Sequence, residues 1–300
     1  MINKPNVFYK RVIIIGSSGM LGQSYEKFFN SLSIETIGIS RRGPDIFCDL
    51  ENNLERIVNI IKPLRPDLVI NCAAIVSLSE CEKNPLKANI INSLVVKELA
   101  SLCCKLDCKF IQISTDHFYS EDGYKLHKET DNVKILNNYA KTKYEGELFA
   151  QKYSNSLILR TNITGFRENS NSATFLEWLL ESIISKKDIF LFSDFITSTI
   201  DVDTFAKISI FLSNNNTGLF NIGSSNPVSK KDFALNLAKK LNIKLTSYEE
   251  KSVKFLFPKR AESLGLDCSK VEKLLNLQMP THQDVINNLV KEIKIRREIF

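Results

Sequence analysis

Tyr139 and Lys143 stand four residues apart in the run Asn138-Tyr139-Ala140-Lys141-Thr142-Lys143. On a helix, such a pair projects from one face. An ammonium beside a phenol favours the phenolate and lowers its pKa. That suits the tyrosine to exchange a proton with a carbonyl or an alcohol near neutral pH. Both residue types are common, so the spacing alone carries little weight. It gains weight from a glycine-rich loop far upstream, Gly16-Ser17-Ser18-Gly19-Met20-Leu21-Gly22, which follows G-x-x-G-x-x-G.

That loop lies between the β-branched run Arg11-Val12-Ile13-Ile14-Ile15 and a helical stretch near Leu21 to Leu32. The first glycine permits a tight turn, the second lets backbone approach a diphosphate, and the third allows close helix–strand packing. The helix N-terminus favours the negative charge. Gly16, Ser18, Gly19, Met20, Leu21 and Gly22 are therefore expected to hold a dinucleotide. The second strand ends Ile39-Ser40-Arg41-Arg42, where a carboxylate would hold a ribose 2′-hydroxyl. Guanidinium groups there suit a 2′-phosphate instead. Arg41 and Arg42 thus predict NADP(H) as the preferred cofactor, with NAD(H) still usable.

The elements that must position these groups alternate. Strands are expected at Arg11–Ile15, Ile34–Ile39, Asp45–Cys48, Leu68–Cys72, Lys109–Ser114 and Leu157–Arg160. Helices are expected near Leu54–Ile61, from Pro85 through Asn92 to Leu106, and from Tyr139 to Tyr153. Apolar strands alternating with helices indicate an α/β fold, a Rossmann-type doubly wound parallel sheet covered on both faces. After Thr161 the pattern changes. A helix over Phe175–Ser185, another entered at Asp203, a strand Leu219–Ile222, an N-cap at Ser229 and a last helix from near Thr281 follow. The division expected is a dinucleotide-binding domain, 1–165, and a smaller α/β substrate-binding annex, 166–300. Segments at about 200–223 are expected to return to the main sheet.

With 300 residues, 43% hydrophobic and 25% charged, the chain has the composition of a globular protein with a large core. The net charge of +6 is spread out apart from Lys294, Arg296 and Arg297. That cluster reads as the solvated face of a terminal helix, so no nucleic-acid partner is expected. The start, Met1 to Arg11, is polar, and no stretch approaches the roughly twenty apolar residues a bilayer requires. No membrane association is expected. The seven cysteines include the cluster Cys103, Cys104 and Cys108, with no histidine nearby. This argues against a metal site and for reduced thiols in a cytoplasmic protein.

Taken together the motifs resemble the extended short-chain dehydrogenase/reductase family, and within it the dTDP-4-dehydrorhamnose reductase branch. Besides the glycine loop, the matching runs begin with Pro66-Asp67-Leu68-Val69-Ile70-Asn71-Cys72-Ala73-Ala74, Cys81-Glu82-x-x-Pro85 and Ile91-Asn92. Ile113-Ser114-Thr115-Asp116, Tyr139-x-x-x-Lys143-x-x-Gly146-Glu147 and Arg160-Thr161-Asn162 come next. Gly218-x-Phe220-Asn221-Ile222-Gly223 and Arg260-x-x-Ser263-x-x-Leu266-Asp267 close the order, which spans nearly the whole chain.

The resemblance implies a reductase of a nucleotide-linked 4-keto-6-deoxyhexose, in deoxysugar synthesis for surface polysaccharide. Its partner would be a nucleotide-diphosphate sugar, and it allows a homodimer. Tyr139 would protonate a sugar keto oxygen as hydride arrives from the nicotinamide. Lys143 would hold the nicotinamide ribose, Thr115 would hydrogen-bond the keto oxygen, and Asn92 matches an asparagine of a proton relay. Asp49, Leu50, Ala73 and Ala74 fall around the adenine and its ribose. Asp116 and His117 border the sugar pocket, Asn162 would contact the sugar or close the cleft, and Arg260 would meet the substrate phosphates. Two runs depart from the branch. Thr115-Asp116-His117-Phe118-Tyr119-Ser120-Glu121-Asp122-Gly123 replaces an aromatic and a Phe-Asp-Gly, and Arg160-Thr161-Asn162-Ile163-Thr164-Gly165 lacks a tryptophan. Two rival readings are a nucleotide-sugar epimerase or dehydratase with tightly held NAD, and a non-catalytic subunit of the same fold.

Overall fold

The computed structural model describes residues 7–43, 45–52, 54–168, 173–245 and 247–298. Met1–Asn6, part of the polar start, and the side chain of Arg297 lie outside the described set. The chain forms two compact units. The first comprises Met1–Thr115, Ile135–Arg160 and Ala206–Phe220, and the second Asp116–Lys134, Thr161–Phe205 and Asn221–Phe300. Asp116–Lys134, inside the first domain as the sequence divides it, groups with the second unit.

In chain order Arg11–Ile15 (β1), Glu35–Ser40 (β2), Ile46–Phe47 (β3), Leu68–Asn71 (β4), Lys109–Ile113 (β5), Ser156–Thr161 (β6) and Gly218–Ile222 (β7) build one sheet. Its order is β7-β6-β5-β4-β1-β2-β3, and every pairing from β6 to β3 is parallel. Ile13, Ile15, Val69, Phe110 and Ile158 pack with Ile57, Ile61, Val95 and Leu99 from the crossover helices. Val12, Ile14, Leu68 and Ile70 are equally buried, as strand alternation requires of a sheet covered on its other face. Each such side chain contributes about 1.5–3 kcal/mol by leaving water. The returning segment is tied in by polar bonds. Tyr25 Oη lies 2.6 Å from Ser209 Oγ, and Lys109 Nζ donates to the Asn216 carbonyl at 2.8 Å.

The helix expected from Pro85 to Leu106 is interrupted. Pro85–Asn89 runs into a π turn, Ile90–Leu94, before Val95–Lys105 continues. Such turns insert one residue into the helical ladder and recur at functional sites.

In the second unit, helices Phe175–Ile184, Lys230–Lys240 and His282–Glu298 share a core of Leu176, Leu179, Phe233, Leu237, Val285 and Leu289. Thr174 and Glu177 form a capping box on the first, and Ser229 Oγ accepts from Asp232 N at 2.9 Å on the second. The two-residue strand Ile196–Thr197 pairs with Val228–Ser229 and with Ser263–Leu264. No helix among the described residues is long and apolar enough to cross a membrane.

Candidate active site

The glycine loop is built for close approach. Gly16 has φ +79°, its N–H donates to the Ile39 carbonyl at 2.7 Å, and a Cβ there would stand 2.8 Å from Ala73 N. The strand order reverses between β1 and β4, so this contact marks the switch point at the carboxyl ends of the sheet. Helix Met20–Asn30 starts at Gly19 with no side-chain cap and no acid in its first turn. Its N–H groups therefore suit an anion such as a diphosphate, and the residues present fit a dinucleotide. Leu21 is buried, so its backbone is what it offers.

Arg41 and Arg42 are exposed in the turn after β2. Asp45, the nearest carboxylate along the chain, accepts from Gly38 N at 2.7 Å. Asp49 accepts from Glu51 N at 3.1 Å beside the buried Leu50, and Ala73 N donates to Asn71 Oδ1 at 3.2 Å. Ala74 is half-buried, one residue along.

Helix Asn138–Ala150 carries the tyrosine and lysine. Asn137 Oδ1 caps it by accepting from Ala140 N at 2.8 Å, while Asn138 N and Nδ2 donate to Glu82 at 2.7 and 2.6 Å. The Tyr139 side chain packs with Cys81 and Ala88. Lys143 is buried, and its Nζ donates to the Ile113 carbonyl at 2.6 Å. Burial pushes the lysine down to about 8, against the opposing pull of Glu147 one turn along. The same carbonyl accepts from Gln112 Nε2 at 2.8 Å, and Gln112 Oε1 accepts from Asn71 Nδ2 at 2.8 Å. The C-terminal ends of β4 and β5 are thus locked beneath the lysine, and Thr115 is buried two residues past Ile113.

Asn92 sits in the π turn. Its Oδ1 accepts from Ile75 N at 2.8 Å, and its Nδ2 donates to Ile75 O at 3.0 Å and to Thr142 Oγ1 at 3.2 Å. These bonds clamp the chain after Ala74 onto helix Asn138–Ala150. Gly146 makes the approach feasible, since a Cβ there would stand 2.3 Å from the Asn92 carbonyl oxygen. Gly146→Ala should cost about 1–3 kcal/mol through overpacking and lower turnover as the helix shifts. Thermal unfolding and kcat read both effects, and an unchanged pair would mean that the helices part freely.

The four residues expected to meet substrate lie together in the second unit. Asn162 Nδ2 donates to Asp116 Oδ2 at 2.9 Å, and His117 Nε2 is 4.0 Å from Asp116 Oδ1. Burial, then the charges of Arg260 and Lys230, push His117 down to about 3, so its ring is neutral. Lys230, which no sequence motif singles out, stands against Asn162. Among the described residues no group of three or more His, Cys, Asp or Glu side chains could hold a metal ion.

A family model described as the RmlD substrate binding domain matches residues 10–295. The chain belongs to the RmlD family. It is 26% identical to a probable low-salt glycan biosynthesis reductase of Haloferax volcanii, over 90% of this chain and 94% of that one. It is also 26% identical to a dTDP-4-dehydrorhamnose reductase of Aggregatibacter actinomycetemcomitans, over 93% of this chain and 98% of the relative. A crystal structure of dTDP-4-dehydrorhamnose reductase from Bacillus anthracis, in complex with NADP, shares the fold. Its TM-score is 0.83 at 21% identity, covering 96% of this chain and 100% of that one.

In this RmlD-family chain one of the two departing runs is bonded to the late motif Arg260-x-x-Ser263. Ser120 Oγ and Glu121 N donate to Glu262, at 2.8 and 2.7 Å, and Asp122 N donates to Ser263 Oγ at 2.9 Å. The late arginine motif thus braces the run that lacks Phe-Asp-Gly. Several site-building residues have no role that sequence alone assigns: Glu82, Asn71, Gln112, and the pair Glu147–Arg160. Glu147 is fully buried, with Arg160 Nη2 and Nε at 2.5 and 3.0 Å and Ser114 Oγ at 2.8 Å. A buried acid predicts a buried cation, but the chain does not say which arginine supplies it.

Proposed function

We propose that this protein is an NADP(H)-dependent reductase of a nucleotide-linked 4-keto-6-deoxyhexose, acting in deoxysugar synthesis for surface polysaccharide. The observation that carries the reading is the Tyr139–Lys143 pair on one helix face, its lysine buried and held at the Ile113 carbonyl. The names of its RmlD-family relatives support the substrate class. When bound, the nicotinamide cofactor supplies the hydride. Tyr139 donates a proton to the keto oxygen, and the Thr115 hydroxyl donates a hydrogen bond to the same oxygen. Lys143, as an ammonium, favours the phenolate left when Tyr139 gives up its proton and holds the nicotinamide ribose hydroxyls. Asn92 serves by fixing Ile75 against Thr142, which keeps the relay geometry in register. Gly16, Ser18, Gly19, Met20, Leu21 and Gly22 cradle the diphosphate. Asp49, Leu50, Ala73 and Ala74 surround the adenosine, and Asp116, His117, Asn162 and Arg260 bind the nucleotide sugar.

Incubation with NADPH and dTDP-4-keto-6-deoxyglucose tests the reading. Net NADPH oxidation is expected, whereas isomerisation without it would make the protein an epimerase. For the 2′-phosphate, Arg41→Ala should raise the KM for NADPH about tenfold, the loss of one charge-assisted hydrogen bond, and leave that for NADH unchanged. Equal KM changes for both cofactors would remove Arg41 from phosphate recognition.

A further inference from the structure

Lys230 opens helix Lys230–Lys240 behind the Ser229 cap, and its position is unusual for a lysine. Its Nζ lies 3.2 Å from Thr199 Oγ1 and 3.3 Å from Asn162 Oδ1, and 4.8 Å from the centroid of the Phe175 ring. The rings of Phe175 and Phe233 hold the ammonium by cation–π attraction, so it is ordered before any ligand arrives. Asp116 and Thr199 are buried beneath, each 1% exposed, while Lys230, Asn162, His117 and Arg260 keep part of their surface accessible.

We propose that Lys230 is a substrate-specificity residue that, with Asn162, grips the hydroxyls of a hexose, leaving the phosphates to Arg260. The charge balance separates the two tasks. The Asp116 carboxylate acts on Lys230 and hydrogen-bonds Asn162, so these three groups are neutral overall and offer both donors and acceptors. Such a set matches alcohol groups. Arg260 has its Nε buried with no hydrogen-bond partner, and burial disfavours its charge without an offsetting carboxylate among the described residues. That leaves an uncompensated guanidinium suited to an anion. His117, neutral between the two cations, adds no charge to either.

The inference rests on the reductase reading, and its test keeps the two apart. Wild-type protein that fails to oxidise NADPH with any nucleotide 4-keto sugar sinks that reading. Given turnover, Lys230→Met should raise the KM for the nucleotide sugar about 10- to 100-fold, the loss of one charged hydrogen bond. The KM for NADPH and inhibition by dTDP, which has phosphates but no sugar, should not change. Lys230→Arg should recover part of the loss. An unchanged sugar KM, or an equal weakening of dTDP, overturns the proposal. If Lys230→Met shows no folding transition, Lys230→Arg carries the same comparison, with a rise in sugar KM and constant dTDP inhibition expected.

Discussion

Tyr139→Phe should bind NADPH as the wild type does and lose turnover by about 10²- to 10⁴-fold, the usual contribution of a general acid. The substitution keeps the ring, and the ring supplies the packing on Cys81 and Ala88. That packing is therefore kept, and the loss falls on kcat. The lysine adds a second readout. Lys143 has been pushed down to about 8, so it is charged below that pH and neutral above it. Wild-type turnover should fall as pH rises through about 8, because the neutral amine no longer favours the phenolate. A Phe variant within a few-fold of wild-type turnover would take Tyr139 out of the mechanism.

The parts of this site that were legible in the sequence are those whose cause is local. Gly16 needs only the strand before it and the helix after it to declare a tight turn, and Tyr139 and Lys143 share a face by helical period alone. Lys143 at the Ile113 carbonyl joins residues 30 positions apart, and Lys230 at Asn162 joins residues 68 apart. Neither leaves a periodic trace. The π turn depends on Asn92 reaching Ile75 and on Gly146 admitting the Asn92 carbonyl, so nothing in Ile90–Leu94 itself announces it. Two-residue strands such as Ile196–Thr197 are too short for an alternation to register. The transfer of Asp116–Lys134 to the second unit follows from bonds to Glu262 and Ser263, far along the chain.

Arg160→Met should be among the most destabilising single changes, at about 3–5 kcal/mol, because it strands the buried Glu147 carboxylate. For a unit of this size that corresponds to a melting temperature lower by roughly 6–20 °C. The double variant Arg160→Met with Glu147→Leu removes both charges and should recover most of the loss, since apolar replacements of buried ion pairs are often neutral. Ser114 Oγ would still lack its acceptor, so recovery stays incomplete. Stability and function then separate. Glu147 holds the Lys143 pKa up against burial, so the refolded double variant should lose turnover at a lower pH than the wild type. A double variant that regains both its melting temperature and the wild-type alkaline limb would make the pair purely structural. A limb displaced to lower pH would make Glu147 the residue that keeps Lys143 charged.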